Sequence, residues 1–357
     1  MMKNKFEAVN LHPFSYLSPS VHTKVYVMLA MLLPQVFMLF WTKSWSSLWI
    51  ILSASAASFA VTGIDTFFKK NRVFDWLSAF ARGIIIGFLI PSTYPPVSVF
   101  FVAFCVLLVT RYFLGGFMHS WVNPAALTVA VCWLLSTHLF PAFSLQITDL
   151  QGKNAALMLI QNGNIPLIPL DARITAFFNN TIFSFFGVSI PEGYVSLLWD
   201  SHSVIPAFRF NVLTLAASIV FISFDIFSAL IPAIYLVVYC FLVRFLAPVF
   251  YGGMMGQGDM LLALFTSGTL FCTLFLLQWY GTTPVTATGK VCYGFLAGVV
   301  AFFVVGVGDS GAGSVFTVLV INVISPIIHG VEMASEQHYL HAVLLPRVQS
   351  FKDGQNA

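Results

Sequence analysis

Long apolar runs constrain this chain more than any other feature of its sequence. Only 8% of its 357 residues are charged, whereas a soluble domain averages about 25%. Several runs exceed the roughly 18–20 residues that cross a bilayer as a helix, and they must be helical because lipid offers no partner for open backbone groups. The sequence therefore predicts an all-α polytopic membrane protein that lies in a lipid bilayer. The small net charge of +3 gives no reason to expect nucleic acid as a partner.

Hydropathy predicts about ten transmembrane helices in two five-helix halves with broken helices. The predicted spans are 25–41, 47–65, 77–95, 97–113, 122–140, 208–225, 227–248, 259–279, 291–307 and 313–330. The predicted divisions are an N-terminal segment 1–24, a first half 25–140, a loop segment 141–207, a second half 208–330 and a tail 331–357. The long loop segment is too polar to cross the membrane.

The distribution of lysine and arginine predicts the orientation of these spans. With the N-terminus in the cytoplasm, most of the basic residues lie on the inner side, including the cluster KKNR at 69–72, as the positive-inside rule requires. An even number of spans returns the C-terminus to the cytoplasm. The segment 141–207 is then extracytoplasmic.

Three stretches interrupt the apolar pattern where a continuous helix would be simplest: LGGFMHSWVNPAALT (114–128), TSGTLF (266–271) and YGTTPVTATGK (280–290). Gly115 and Gly116 let a helix unwind at little cost. Asn123 is well placed to cap a new helix that begins at Pro124. Broken helices at membrane depth present their polar ends to a cavity and are typical of a ligand or ion route, although each stretch taken alone is equally a loop between two spans.

The remaining reactive residue types predict neither a catalytic residue nor a metal site. Five cysteines lie in apolar runs without CxxC spacing: Cys105, Cys132, Cys240, Cys272 and Cys292. We interpret them as free thiols that act as small buried hydrophobes. Among the acidic residues, Asp225 lies between two apolar runs, and it is either a turn residue or a carboxylate on an ion path.

The interrupted stretches resemble a known family. LGGFMHSWVNPAAL is similar to the FGG…H…FNPAAL element of the RnfD protein of the Rnf complex and of the related NqrB protein of the sodium-pumping NADH:quinone reductase. SPSVHTKVYVMLAMLLP (18–34), FTSGTLF (265–271), TTPVTATGK (282–290) and VINVISPIIHG (320–330) resemble other family motifs in the same order. The resemblance covers nearly the whole chain.

The resemblance implies a membrane subunit of an electron-transport complex that translocates Na⁺ or H⁺ across the bacterial inner membrane. Such a subunit works with the other subunits of its complex and is not active alone. The implied cofactor is a flavin, FMN or riboflavin. The candidate cofactor-binding residues are Gly115, Gly116, His119, Asn123, Asp171, Thr175, Ser267, Gly268, Thr269 and Thr286.

The chain departs from the family where the cofactor is usually attached. Family members carry FMN on a threonine in a D-x-x-[S/T]-G-A-T-like motif, and the matching stretch here is DARITAFF (171–178). Phe177 replaces the acceptor threonine, and phenylalanine has no oxygen that could form the phosphoester. Thr175 or Thr181 could substitute only if the register slips. The family's closing aspartate is also replaced, by His329.

These departures keep two other functions open. The first is a redox-silent scaffold that retains the fold and the subunit contacts but holds no covalent FMN. The second is an independent multi-pass transporter, which would explain the broken helices but not the run of matched motifs. Flavin bound to the purified chain distinguishes the first from an electron carrier, and transport by the chain alone distinguishes the second.

Overall fold

A computed structural model describes residues 19–68, 75–114, 121–140, 167–250, 252–279, 282–307, 310–339 and 342. Within these ranges every regular element is helical, which confirms the predicted fold class. The α-helices are α1 (Val21–Trp41), α2 (Trp45–Phe68), α3 (Trp76–Leu89), α4 (Pro96–Phe113), α5 (Pro124–Leu135), α6 (Asp171–Thr181), α7 (Tyr194–Trp199), α8 (Asn211–Ser223), α9 (Leu230–Phe245), α10 (Ala247–Phe250), α11 (Met260–Thr266), α12 (Thr269–Phe275), α13 (Ala287–Ala301) and α14 (Gly313–Tyr339).

Five of the described helices are long and apolar enough to cross a bilayer. They are α1, α2, α4, α14 and the combination of α13 with the π-helical turn Phe302–Gly306 that continues it. Four shorter apolar helices, α3, α5, α8 and α9, coincide with four further predicted spans. The remaining predicted span, 259–279, is broken into α11 and α12. Each predicted span thus coincides with helix, although α14 continues beyond its predicted end at 330.

Glycine pairs bring helices close together in both predicted halves. A Cβ added at Gly83 or Gly87 of α3 would overlap backbone atoms of α2. In the second half, a Cβ at Gly298 of α13 would lie 2.9 Å from the carbonyl oxygen of Tyr235 in α9, and Gly294 lies one turn earlier against the same helix. Small residues at i and i+4 are typical of helices that pack backbone to backbone in membranes.

Polar and aromatic contacts connect the two halves. Gln35 of α1 donates a hydrogen bond of 3.3 Å to the hydroxyl of Thr214 in α8, and both side chains are buried. Trp133 of α5 packs edge-on against Phe316 of α14 with 5.0 Å between ring centroids. The halves therefore share one core.

Residues 167–210, which we call the outward segment, lie between the halves and contain α6 and α7. Two contacts join this segment to the helices beneath it. Arg209 forms an ion pair of 2.6 Å with Asp200 and donates a hydrogen bond of 2.7 Å to Ser44, in the turn between α1 and α2. Tyr194 of α7 donates a hydrogen bond to Asp259, which caps the first turn of α11. The segment is thus fastened to both halves.

Candidate functional site

The predicted break in TSGTLF is present and is fully enclosed. Helix α11 ends at Thr266 and α12 begins at Thr269, and Gly268 between them has a φ of +69°. A Cβ at Gly268 would overlap the ring of Phe208 in the outward segment. Ser267 and Thr269 are buried and their hydroxyls are 3.0 Å apart. Only glycine suits this position, because other residues rarely adopt positive φ and none has room for its side chain.

Asn123 begins the helix that follows the first interruption, as the sequence predicts. Its Oδ1 accepts hydrogen bonds from the backbone N–H groups of Ala125 (2.9 Å) and Ala126 (3.3 Å), and Pro124 is the first residue of α5. Its Nδ2 donates a bond of 3.0 Å to the carbonyl oxygen of Leu276, just after α12. A single buried side chain therefore caps one broken element and satisfies the end of another.

Thr286 also caps a helix, and a carboxylate holds it in place. Its hydroxyl oxygen accepts from the N–H of Gly289 at 3.0 Å at the start of α13. Glu332 of α14 accepts from the Thr286 hydroxyl (2.5 Å), from the Thr286 N–H (2.9 Å) and from the Val285 N–H (3.3 Å). The imidazole of His329 lies 3.3 Å from the same carboxylate. A carboxylate is thus present one helical turn after the position at which the family's closing aspartate is replaced.

Asn322 of α14 is a polar group that the sequence did not single out as a site residue. It is fully buried, and neither its Oδ1 nor its Nδ2 has a hydrogen-bond partner in the described part of the chain. On either side of it along α14, Ser314 lies 3.3 Å from the Cys272 sulfur and Ser325 donates to the carbonyl oxygen of Thr282 at 2.5 Å. This stretch of α14 therefore faces α12 and the segment that follows it.

An unpaired buried carboxamide is costly and points to a polar group that completes it. The signal in the sequence was VINVISPIIHG, quoted above only for its resemblance to the family. Glu332 was missed for another reason, since it lies beyond the end of the last apolar run.

Asp171 is the centre of a separate network in the outward segment. Its carboxylate accepts hydrogen bonds from the Ser196 hydroxyl (2.5 Å), the Ser196 N–H (2.8 Å), the Thr175 hydroxyl (2.9 Å) and the Gly193 N–H (3.1 Å). Burial acts to raise the pKa of Asp171, but the hydrogen bonds from Ser196, Gly193 and Thr175 outweigh it and lower the pKa below its usual range. The carboxylate joins α6 to α7 and its acceptor positions are occupied.

The hydroxyls near Asp171 do not suit attachment of a phosphate. Thr175 is buried and its hydroxyl is engaged by Asp171. Thr181 donates its hydroxyl proton to the carbonyl oxygen of Phe177. Phe177, at the position of the family's acceptor threonine, points away from the body of the protein with 62% of its surface exposed. The residues present therefore do not fit covalent FMN.

The candidate residues thus fall into separate places. Asn123 and the Ser267–Thr269 break meet around Leu276, Thr286 belongs to the Glu332 cap, and Asp171 and Thr175 lie in the outward segment. Gly115, Gly116 and His119 lie outside the described residues. Asp225 is exposed in the turn between α8 and α9 with a φ of +50°, which favours the turn interpretation of this residue.

A buried ion pair closes one end of the first half. Asp65 of α2 is fully buried and lies 2.6 Å from the guanidinium of Arg111 in α4, which is 12% exposed. Arg82 of α3 is also buried. Charged groups at this depth are retained only when partners compensate their desolvation.

Comparisons with known proteins agree with this arrangement. The chain is 25% identical over 285 residues to the RnfD-type protein of the Na(+)-translocating ferredoxin:NAD(+) oxidoreductase complex of Acetobacterium woodii, covering 78% of each chain. It is 23% identical over 281 residues to the corresponding protein of the ion-translocating oxidoreductase complex of Buchnera aphidicola subsp. Schizaphis graminum, covering 72% of this chain and 76% of the relative. A model of the NQR2, RnfD, RnfE family matches residues 8–336, which include both halves, the break and the outward segment, and the chain belongs to that family.

Proposed function

We propose that this chain is a membrane subunit of an Rnf-type complex that couples electron transfer to translocation of Na⁺ or H⁺. The observation that carries the proposal is the family match over residues 8–336, which includes both halves and the broken helix between α11 and α12. The names of the two relatives support the same role. We place the protein in the bacterial inner membrane with both termini in the cytoplasm, because the basic residues favour that orientation.

We further propose that any flavin is bound non-covalently beside the broken helix. Asn322 supports this site, because its carboxamide offers a buried donor and a buried acceptor that lack partners among the described residues. The imide edge of an FMN or riboflavin ring offers the complementary acceptor and donor. The candidate residues Asn123, Ser267, Gly268 and Thr269 would shape the surrounding backbone, and Thr286 would fix the start of α13.

A bound flavin would supply one- and two-electron transfer. The contribution of the protein would be to hold and orient the ring and to exclude water. Burial of Asn322, Ser267 and Thr269 provides such an environment. Asn123 would keep the two broken elements in register, because its one side chain bonds to both.

Flavin content tests this proposal directly. The chain is purified with its partner subunits, denatured and separated on a gel, and flavin fluorescence is measured in the band and in the supernatant. We expect a dark band for this chain and flavin in the supernatant. Asn322→Leu should reduce the released flavin several-fold, whereas the matched control Asn180→Leu, at an exposed position of α6, should not. A fluorescent band would contradict non-covalent binding.

The second candidate function is a redox-silent scaffold, which the replacement of the acceptor threonine by Phe177 favours. It predicts no flavin in either fraction while the complex still assembles. An independent transporter predicts ion uptake by vesicles that contain this chain alone. The complex-bound role proposed here predicts uptake only when the partner subunits are present.

A further inference from the structure

Helix α6 and the residues that follow it expose a continuous aromatic ridge. Phe177, Phe178, Ile182 and Phe185 are 62%, 38%, 46% and 86% exposed. The rings of Phe177 and Phe178 are 5.8 Å apart, and Phe178 lies 6.4 Å from Phe183. Large apolar residues this exposed, and this close together, mark an interaction surface.

The rest of α6 is polar or turned inward. Ala172, Ala176 and Asn179 line a groove of about 430 Å³ together with Ser189–Glu192, on a different side of the helix from the ridge. Arg173 and Asn180 are exposed beside Phe177 on the helical wheel, whereas the carboxylate of Asp171 is buried. The exposed surface of α6 is therefore amphipathic, with an arginine at the edge of its apolar face.

Contacts of the outward segment fix the level of this ridge relative to the membrane helices. Asp171 joins α6 to Ser196 of α7. At the end of α7, Trp199 lines a groove of about 510 Å³ with Phe37 and Trp41 of α1. Trp41 ends α1 and is 72% exposed, and tryptophans at the ends of membrane helices are typical of the lipid–water interface.

We propose that the ridge of Phe177, Phe178, Ile182 and Phe185 lies in the lipid headgroup region on the side of the α1–α2 turn. This surface of the outward segment continues the aromatic belt formed by Trp41 and Trp199 at the level where lipid begins. An amphipathic helix with phenylalanines on one face and a basic edge is typical of interfacial binding. Arg173 suits the phosphate of a lipid headgroup in this position.

This role goes beyond electron transfer and gives the phenylalanine at position 177 a physical purpose. At the position where the family carries a cofactor on a hydroxyl, this chain carries a ring that rests in lipid. The outward segment is then held at two levels, by Asp171 and Tyr194 against the helices and by the ridge against the membrane.

Accessibility of spin labels tests the proposal in the full chain. The exposed Cys105 and Cys292 and the half-buried Cys240 are replaced by serine, and a nitroxide is attached at one position at a time. The test variants are Phe177→Cys and Phe185→Cys, and the matched controls are Ala176→Cys and Asn180→Cys, all at exposed positions. Collision rates with oxygen, which enters lipid, and with a nickel chelate, which stays in water, are measured in nanodiscs of phosphatidylethanolamine and phosphatidylglycerol.

The expected result is an oxygen-to-nickel ratio several-fold higher at the two ridge positions than at Ala176 and Asn180. Equal, water-like ratios at all four positions would overturn the proposal. Protection of the ridge from both reagents, seen only when the partner subunits are present, would also overturn it and assign the surface to a protein partner. Because none of these readouts depends on flavin or on turnover, the result is independent of the function proposed above.

Discussion

Replacing Asn123 with alanine should remove two interactions that a single side chain supports. The first is the cap of α5, and losing such a cap costs about 0.5–2 kcal/mol. The second is the bond to the Leu276 carbonyl, which would remain buried without its donor at a cost of about 1–3 kcal/mol. Because both Asn123 and Leu276 are 0% exposed, water cannot replace the lost group. We expect a total destabilisation of roughly 2–4 kcal/mol.

Asn123→Asp separates the two contributions, because a carboxylate can still accept from Ala125 and Ala126 but cannot donate to Leu276. Equilibrium unfolding in mixed micelles with increasing SDS gives the free energy of unfolding for each variant. Asn123→Asp should fall between wild type and Asn123→Ala. The exposed control Asn180→Ala should change stability by less than about 0.5 kcal/mol.

Two outcomes would refute this reasoning. If Asn123→Ala costs less than about 0.5 kcal/mol, neither the cap nor the bond to Leu276 contributes as the geometry requires. If Asn123→Asp is as stable as wild type, the bond between the predicted halves is unimportant. Only the cap of α5 would then explain the loss in Asn123→Ala.

The break and the outward network lead to two further predictions. Gly268→Ala should destabilise the protein by more than about 1 kcal/mol, because its Cβ meets Phe208 and its φ is positive; Gly63→Ala, in open space within α2, should be neutral or stabilising by the same unfolding assay. The pKa of Asp171 is lower in the folded protein than its unfolded value of about 3.9, so its network stabilises fully above that pH and is lost as the pH falls through the folded pKa. Wild type should therefore lose melting temperature below about pH 4 more steeply than Asp171→Asn, and equal slopes would contradict this.

Local chemistry explains which parts of the site the sequence predicts. Asparagine before proline predicts a capped helix start, and Asn123 forms one. Serine and glycine inside an apolar run predict a break, and Gly268 provides one. In both cases the outcome depends on the backbone preferences of a few adjacent residues.

The partners of these residues could not be predicted in the same way. The bond from Asn123 to Leu276 and the cap of Thr286 by Glu332 join residues far apart in the chain. Hydropathy indicates where lipid-facing residues stop, but α14 continues as a helix past residue 330 and brings Glu332 to the start of α13. The exposure of Phe177 likewise depends on the direction in which Asp171 and Ser196 turn α6.

The tie between Tyr194 and Asp259 makes the region outside the lipid part of the transport machinery. Asp259 starts α11, and Phe208 fills the space beside Gly268 at the other end of that short helix. The discontinuity in the membrane is therefore shaped from above, and a force applied to α7 is transmitted within one helix length to the broken backbone. A partner protein that binds this exterior region could thus influence the interior without entering the bilayer.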